Sequence, residues 1–332
     1  MKKITLSHGS GGRLTHELIR ELFLKNFGNP SLDKLGDSAF IDMAGKKLAY
    51  TTDSFVVRPI FFPGGDIGRL AVSGTVNDLC VSGARPRYLS CAMIVEEGFG
   101  YDELRKITVS IKSACEQAGV DVVTGDFKVV EKGGADKIFI NTSGVGEVYK
   151  NADLSMDRIR PGDKIILSGT AGDHAASILL AREDLKFRAR IFSDCAPLNG
   201  LVSSVMCRGI KFMRDPTRGG LATTLNEISA ALGRDIFIEE ASIPVRSSVR
   251  ALCEILGFDP LYMANEGKVV AIVSPESAMG VLNKMKKHPL GRSCGIIGEV
   301  TGDKGGGVYM KTRIGGARIL DMLTGEQLPR IC

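Results

Sequence analysis

The sequence predicts an α/β (α+β) protein of two domains, on three observations. Its 332 residues correspond to about two domains at roughly 150 residues each. Helical and strand periodicities alternate along both halves instead of separating into an all-helical and an all-strand block. Near the middle, a polar stretch from Lys150 to Arg160 and then Pro161-Gly162-Asp163 interrupts the pattern. Hydrophobic residues make up 44% and charged residues 24% of the chain, with mean hydropathy +0.07. That balance is globular and can fill two cores.

Each element has its own signal. Leu14, Leu18, Leu22 and Phe23 recur at helical spacing and predict a helix over 15–27. Residues 38–57 read as a hairpin turning at Ala44-Gly45-Lys46. The helix predicted over 67–81 is apolar on nearly every side, more than one domain needs to cover, which points to a homodimer through the N-terminal domain. Tyr101 to Ala118 forms the next helix, with Asp102 as N-cap and Leu104, Ile107, Ile111, Ala114 and Cys115 on its core face. Strands over 120–124 and 137–142 complete the first half.

The second half repeats the mixture. Strands are predicted over 164–168, 235–240 and 268–274, and helices over 173–182, 198–207, 219–232 and 247–256. A short echo links the halves: Gly144-Val145-Gly146-Glu147-Val148 closes the first and Gly295-Ile296-Ile297-Gly298-Glu299-Val300 the second. Beyond them, glycines at 305–307 and 315–316 and the late Pro329 predict a mobile tail with nothing packed after the proline. The chain thus divides into a glycine loop and helix (1–35), an N-terminal domain (36–153), a C-terminal α/β domain (154–307) and a tail (308–332).

Composition excludes several functions. The net charge is +5 without a long basic run, and there is no Trp, so nothing predicts nucleic-acid binding. No stretch reaches the ~18 apolar residues of a membrane span, and the Met1-Lys2-Lys3 start lacks a signal-peptide core. The cysteines at positions 80, 91, 115, 195, 207, 253, 294 and 332 form no C-x-x-C pair, which argues against zinc and for a reduced, cytoplasmic protein.

The 40 glycines exceed an average near ~7% and cluster at His8-Gly9-Ser10-Gly11-Gly12, Pro63-Gly64-Gly65, Gly169-Thr170-Ala171-Gly172, Arg218-Gly219-Gly220 and Gly305-Gly306-Gly307. Such clusters make turns or let backbone approach a ligand. Acidic residues recur where predicted elements meet turns: Asp37, Asp53, Asp126, Asp215 and Asn77-Asp78. Singly, each suits a turn or a cap. Asp78 stands apart, because a carboxylate on an all-round apolar helix needs a cation or a metal. Several aspartates with glycine loops suit Mg²⁺ bound with a nucleotide, although no Walker A pattern occurs. Lys128 is a candidate phosphate contact, and Glu266 a candidate base or ligand. The start of the helix after Gly219-Gly220 offers backbone N–H groups to an anion. His16 and His288 read as surface residues, and His8 is left without a role.

Gly36-Asp37-Ser38-Ala39, Thr52-Asp53-Ser54, Val76-Asn77-Asp78-Leu79, Thr124-Gly125-Asp126 and Asp215-Pro216-Thr217-Arg218-Gly219-Gly220-Leu221 resemble the ATP-binding superfamily of aminoimidazole ribonucleotide synthetase, selenophosphate synthetase and thiamin phosphate kinase. The resemblance covers nearly the whole chain. It implies a two-domain fold whose N-terminal sheets join in a dimer barrel, with ATP and Mg²⁺ near the dimer interface. The glycine loop at 8–12 and the ending Pro329-Arg330-Ile331-Cys332 resemble the HypE family of hydrogenase maturation factors within that superfamily. That likeness implies ATP-dependent dehydration of an S-carbamoyl group on Cys332 to a thiocyanate. HypF would supply the carbamoyl group, and the HypC–HypD iron scaffold would receive the cyanide ligand of the [NiFe]-hydrogenase centre. It also implies Asp37, Asp53, Asp78 and Asp126 as metal ligands, with Asn77, Asp215, Gly219 and Gly220 beside the nucleotide and Lys128 and Glu266 as helpers in catalysis. Two alternatives stand beside it. One is a selenophosphate-synthetase-like or small-molecule kinase activity, disfavoured because the first cysteine is Cys80 and not one near the glycine loop; the other is a non-catalytic ATP-binding partner protein.

Overall fold

Alternating side chains build two large sheets, an apolar helix joins them, and two short strands, Phe61–Phe62 (β3) and Gly65–Asp66 (β4), pair with each other just before that helix. The computed structural model describes residues 5, 12–27, 29–30, 32–43, 45–182, 190–323, 328 and 330–332; most of the glycine loop, with His8, lies outside them. The first sheet has the order β1-β2-β7-β5-β6, from Ala39–Met43 (β1), Lys46–Phe55 (β2), Ala84–Glu96 (β5), Asp121–Val130 (β6) and Ile138–Val148 (β7). Buried and half-buried residues alternate along β7, the period of two that one covered face imposes. All its pairings are antiparallel except β5 with β6. That parallel step needs a crossover, which Tyr101–Ala118 (α3) provides.

The second sheet has seven strands in the order β14-β13-β10-β12-β8-β11-β9. They are Lys164–Leu167 (β8), Ile210–Arg214 (β9), Ile236–Glu239 (β10), Val270–Val273 (β11), Gly295–Val300 (β12), Val308–Lys311 (β13) and Ala317–Ile319 (β14). Helices Asp173–Arg182 (α4), Asn199–Val205 (α5), Gly220–Leu232 (α6), Ser247–Leu256 (α7) and Pro275–Lys287 (α8) accompany it. The last of these was readable but went unpredicted: Pro275 occupies its first turn, Lys284, Lys286 and Lys287 its last, and Ala278, Val281, Leu282 and Met285 recur along its buried side.

Helix Ile67–Val81 (α2) starts at Asp66, whose carboxylate accepts from Gly68 N and Arg69 N. It packs on β2, β5 and β7 on one side and on α3, α5 and β9 on others. Its own chain therefore covers it, and its all-round apolarity carries no argument for a dimer. The uncovered surface is elsewhere. Strand β6, expected to end at 124, runs on to Val130 with nearly every residue exposed.

Other expectations change too. The helical run over 13–27 (α1) buries none of its residues, so its apolar spacing does not mark a core face. Gly100, not Asp102, is the N-cap of α3; Asp102 lies in the first turn, where it suits the helix dipole. Cys115 is core as expected. The expected mobile tail is the largest departure. Residues 308–311 and 317–319 are strands of the second sheet, and Leu320, Ile331 and Cys332 are buried.

Candidate active site

Where the end of β9 meets β2 and α2, an open cavity of roughly 1070 Å³ is lined by Asp37, Thr51, Asp53, Asp78, Arg214, Asp215, Arg218, Glu227, Glu266 and Cys332, among others. Four aspartates from four separate motifs thus face one space. Asp53 arrives on β2 and Asp78 on α2, where Thr51 Oγ1 donates to Asp78 Oδ2 at 2.8 Å. Asp215 follows the last residue of β9. Burial raises all four pKa values: those of Asp37 and Asp53 above the usual carboxylate range, that of Asp215 to about 7 and that of Asp78 well above the usual range, where Asp53, Asp215 and Asp37 add repulsion. Such a group releases its crowding when a cation enters.

Arg214 partly offsets the charge. Its Nε lies 3.2 Å from Asp37 Oδ1 and its Nη1 lies 3.0 Å from Glu227 Oε2, while Glu227 Oε1 meets His16 Nε2 at 2.8 Å. His16 therefore ties α1 to α6 and is not a free surface residue. His288 is half-buried, and its Nδ1 accepts from Leu290 N. Among the described residues, no three His, Cys, Asp or Glu side chains form a ready cage for a metal. The donor set still fits Mg²⁺ carried in with phosphate, since that ion takes one or two carboxylates and fills the rest of its shell from phosphate and water.

Glu266 forms the inner wall. It is buried, and among the described residues its Oε1 has no hydrogen-bond partner; burial first and then Asp215 push its pKa well above the usual range. Cys332 sits opposite, its sulfur accepting from Arg218 Nε at 3.1 Å. Burial raises the thiol to about 11, against the pull of Arg218. The cation beside the thiol is therefore Arg218 and not Arg330, which instead pairs with Asp136. Sequence reasoning placed Arg218 in a motif without giving it a role, and it passed over Arg214, Glu227 and the tail's seat altogether.

Five expected residues lie outside the cavity. Asn77 is buried behind it, donating to Ala196 O and Glu266 O and accepting from Leu198 N, so it holds the backbone of Glu266. Gly219 and Gly220 make the left-handed turn that opens α6, and a Cβ at Gly220 would stand 2.6 Å from Met263 O. They shape the loop that presents Arg218. Asp126 and Lys128 are exposed on β6 and pair with each other at 2.6 Å, so this chain does not bring them to its own cavity.

Comparison with known proteins agrees with this layout. Residues 35–148 match the model for the AIR synthase related protein, N-terminal domain, and residues 160–311 that for the C-terminal domain. The chain is 51% identical over 332 residues to the carbamoyl dehydratase HypE of Bradyrhizobium diazoefficiens, covering 99% of this chain and 96% of the relative. It resembles a crystal structure of the hydrogenase maturation protein HypE in complex with ATP (50% identity, TM-score 0.83, 99% of this chain and 100% of that one). It also resembles that of a HypE–HypF complex (48% identity, TM-score 0.88, 92% of this chain and 99% of that one). With two AIR synthase related domains and near-complete coverage at this identity, the chain belongs to the HypE family of carbamoyl dehydratases.

Proposed function

We propose that this chain uses ATP to dehydrate an S-carbamoyl group carried on Cys332 to a thiocyanate. The observation that carries this reading is the Cys332 thiol in the wall of a carboxylate-lined cavity, 3.1 Å from Arg218. The carbamoyl oxygen attacks the γ-phosphate of ATP, and ADP leaves. The C–O bond then breaks to release phosphate, the nitrogen gives up one proton to Glu266 and the other to the departing phosphate, and S–C≡N remains. Bound Mg²⁺ would offset phosphate repulsion and favour ionised carboxylates. Asp53 and Asp78 would hold it, while Asp37, paired with Arg214, borders the phosphates and Asp215 closes the inner side. Glu266 accepts one N–H proton once cationic charge ionises it, and Arg218 orients the sulfur.

A homodimer completes the reading. Val122, Val123, Phe127 and Val129 are exposed along β6, and a long apolar edge strand is an aggregation liability unless a partner covers it. Pairing through this sheet would carry Asp126 and Lys128 to the partner's cavity, where Lys128 would face the phosphates. HypF would load Cys332, and a HypC–HypD scaffold would take the cyanide from it in the cytoplasm. The test is intact mass after incubation with HypF, carbamoyl phosphate and ATP. A gain of one carbamoyl group, then loss of one water, supports the reading. Carbamoylation without water loss contradicts it.

A further inference from the structure

The last three residues are held by their carbonyl oxygens. Arg330 O accepts from Arg58 N at 3.1 Å and from the Arg182 guanidinium, and Cys332 O accepts from Val56 N at 3.1 Å. Between them, Ile331 O lies 2.7 Å from His174 Nε2. His174 sits on α4, wholly buried, with its ring edge-on to Phe62 at 5.5 Å. Its other nitrogen, Nδ1, lies 2.8 Å from Ser193 Oγ, which already accepts from Cys195 N at 3.0 Å.

This chain of contacts fixes the protons. Ser193 Oγ takes the Cys195 N–H with a lone pair, so its own hydrogen is free to go to Nδ1. Nδ1 is then the acceptor, Nε2 carries the ring hydrogen, and that hydrogen points at Ile331 O. Burial holds the His174 pKa below its ordinary value, with Asp194 opposing, which keeps the ring neutral and preserves this arrangement.

We propose that His174, oriented by Ser193, is a positioning residue that pins the register of the tail and so sets the Cys332 sulfur against Arg218. A slip of one residue would put Ile331, which has no nucleophile, where the thiol now stands. The Arg330 side chain also anchors the tail, its Nε donating to Val56 O at 2.8 Å and its guanidinium pairing with Asp136, while His174 holds the carbonyl next to the cysteine and so acts on the docked position and not on carbamoyl chemistry. Its link to dehydration rests on the function proposed above.

The test uses the full chain in three variants. His174→Phe keeps the ring and its Phe62 contact but leaves Ile331 O unpaired. His174→Gln restores an N–H donor, and Ser193→Ala frees the ring to take its other tautomer. Two readouts apply: the rate at which a small maleimide labels Cys332 in the nucleotide-free protein, and single-turnover thiocyanate formation on carbamoylated protein. An unpaired buried carbonyl weakens docking by about 10-fold. We expect His174→Phe to label about that much faster and dehydrate about that much slower, His174→Gln to return toward wild type in both, and Ser193→Ala to shift both the same way by less, with ATP affinity unchanged throughout. Wild-type labelling in His174→Phe, or no rescue by His174→Gln, overturns the proposal. Wild-type protein that never forms thiocyanate would defeat the proposed function instead, because labelling reads the latch without the reaction.

Discussion

The aspartates of the cavity and Asp126 of the sheet edge arise in motifs of the same kind, yet their surroundings drive them in opposite directions. Burial raises the pKa of Asp37, Asp53, Asp78 and Asp215, whereas the hydrogen bond from Lys128 lowers that of exposed Asp126. The first group is primed to gain from a cation, and the second is already satisfied by its neighbour. Residue type and turn context alone do not separate them. What separates them is whether the chain folds a second and third carboxylate into the same space.

The largest expected effect lies at the tail. Cys332→Ala should abolish thiocyanate formation while ATP affinity stays within about twofold, because the folded walls and not the tail supply the carboxylates; appearance of the modification on any other cysteine breaks this account. Next come Asp53→Asn and Asp78→Asn, each expected to slow ATP-dependent turnover by about 100-fold or more, read by phosphate release.

A mixed dimer sharpens the contrast directly. If Lys128 serves the partner's cavity, mixing inactive Asp53→Asn and Lys128→Ala proteins should restore activity at about a quarter of the sites, since half of randomly paired dimers are mixed and each holds one intact site. No recovery on mixing would return Lys128 to its own chain.

The smallest effect is on stability. Asp215 holds its proton more tightly folded than unfolded, so the folded state binds more protons between about pH 4 and its own value of about 7. Stability of the nucleotide-free protein should therefore fall as pH rises through that window and level off above it. Asp215→Asn should flatten the decline, and Asp78→Asn should raise the melting temperature by about 2–4 °C by removing a crowded charge; thermal scans at several pH values check both.

Much of this was legible in the sequence because it is local. The all-round apolarity of α2 flagged Asp78 as a carboxylate needing compensation, and Asp37, Asp53 and Asp215 stood at element ends that do meet. The tail was misread for a physical reason. Pro329 does disfavour helix, but the residues after it dock through carbonyls taken by Val56, Arg58, Arg182 and His174, partners scattered through the chain and invisible to any local pattern. Strand β6 was cut short because an exposed strand lacks the buried alternation by which strands are recognised. Arg218 lay within a quoted motif, yet nothing near it in sequence points to a cysteine at the far terminus.

The most direct test of the central claim follows one oxygen atom. Cys332 is loaded with a carbamoyl group bearing heavy oxygen, and a single turnover is run with ATP. Activation of that oxygen by phosphoryl transfer requires the label to leave in inorganic phosphate, one per thiocyanate and one per ADP. Label released into water, with unlabelled phosphate, would contradict it.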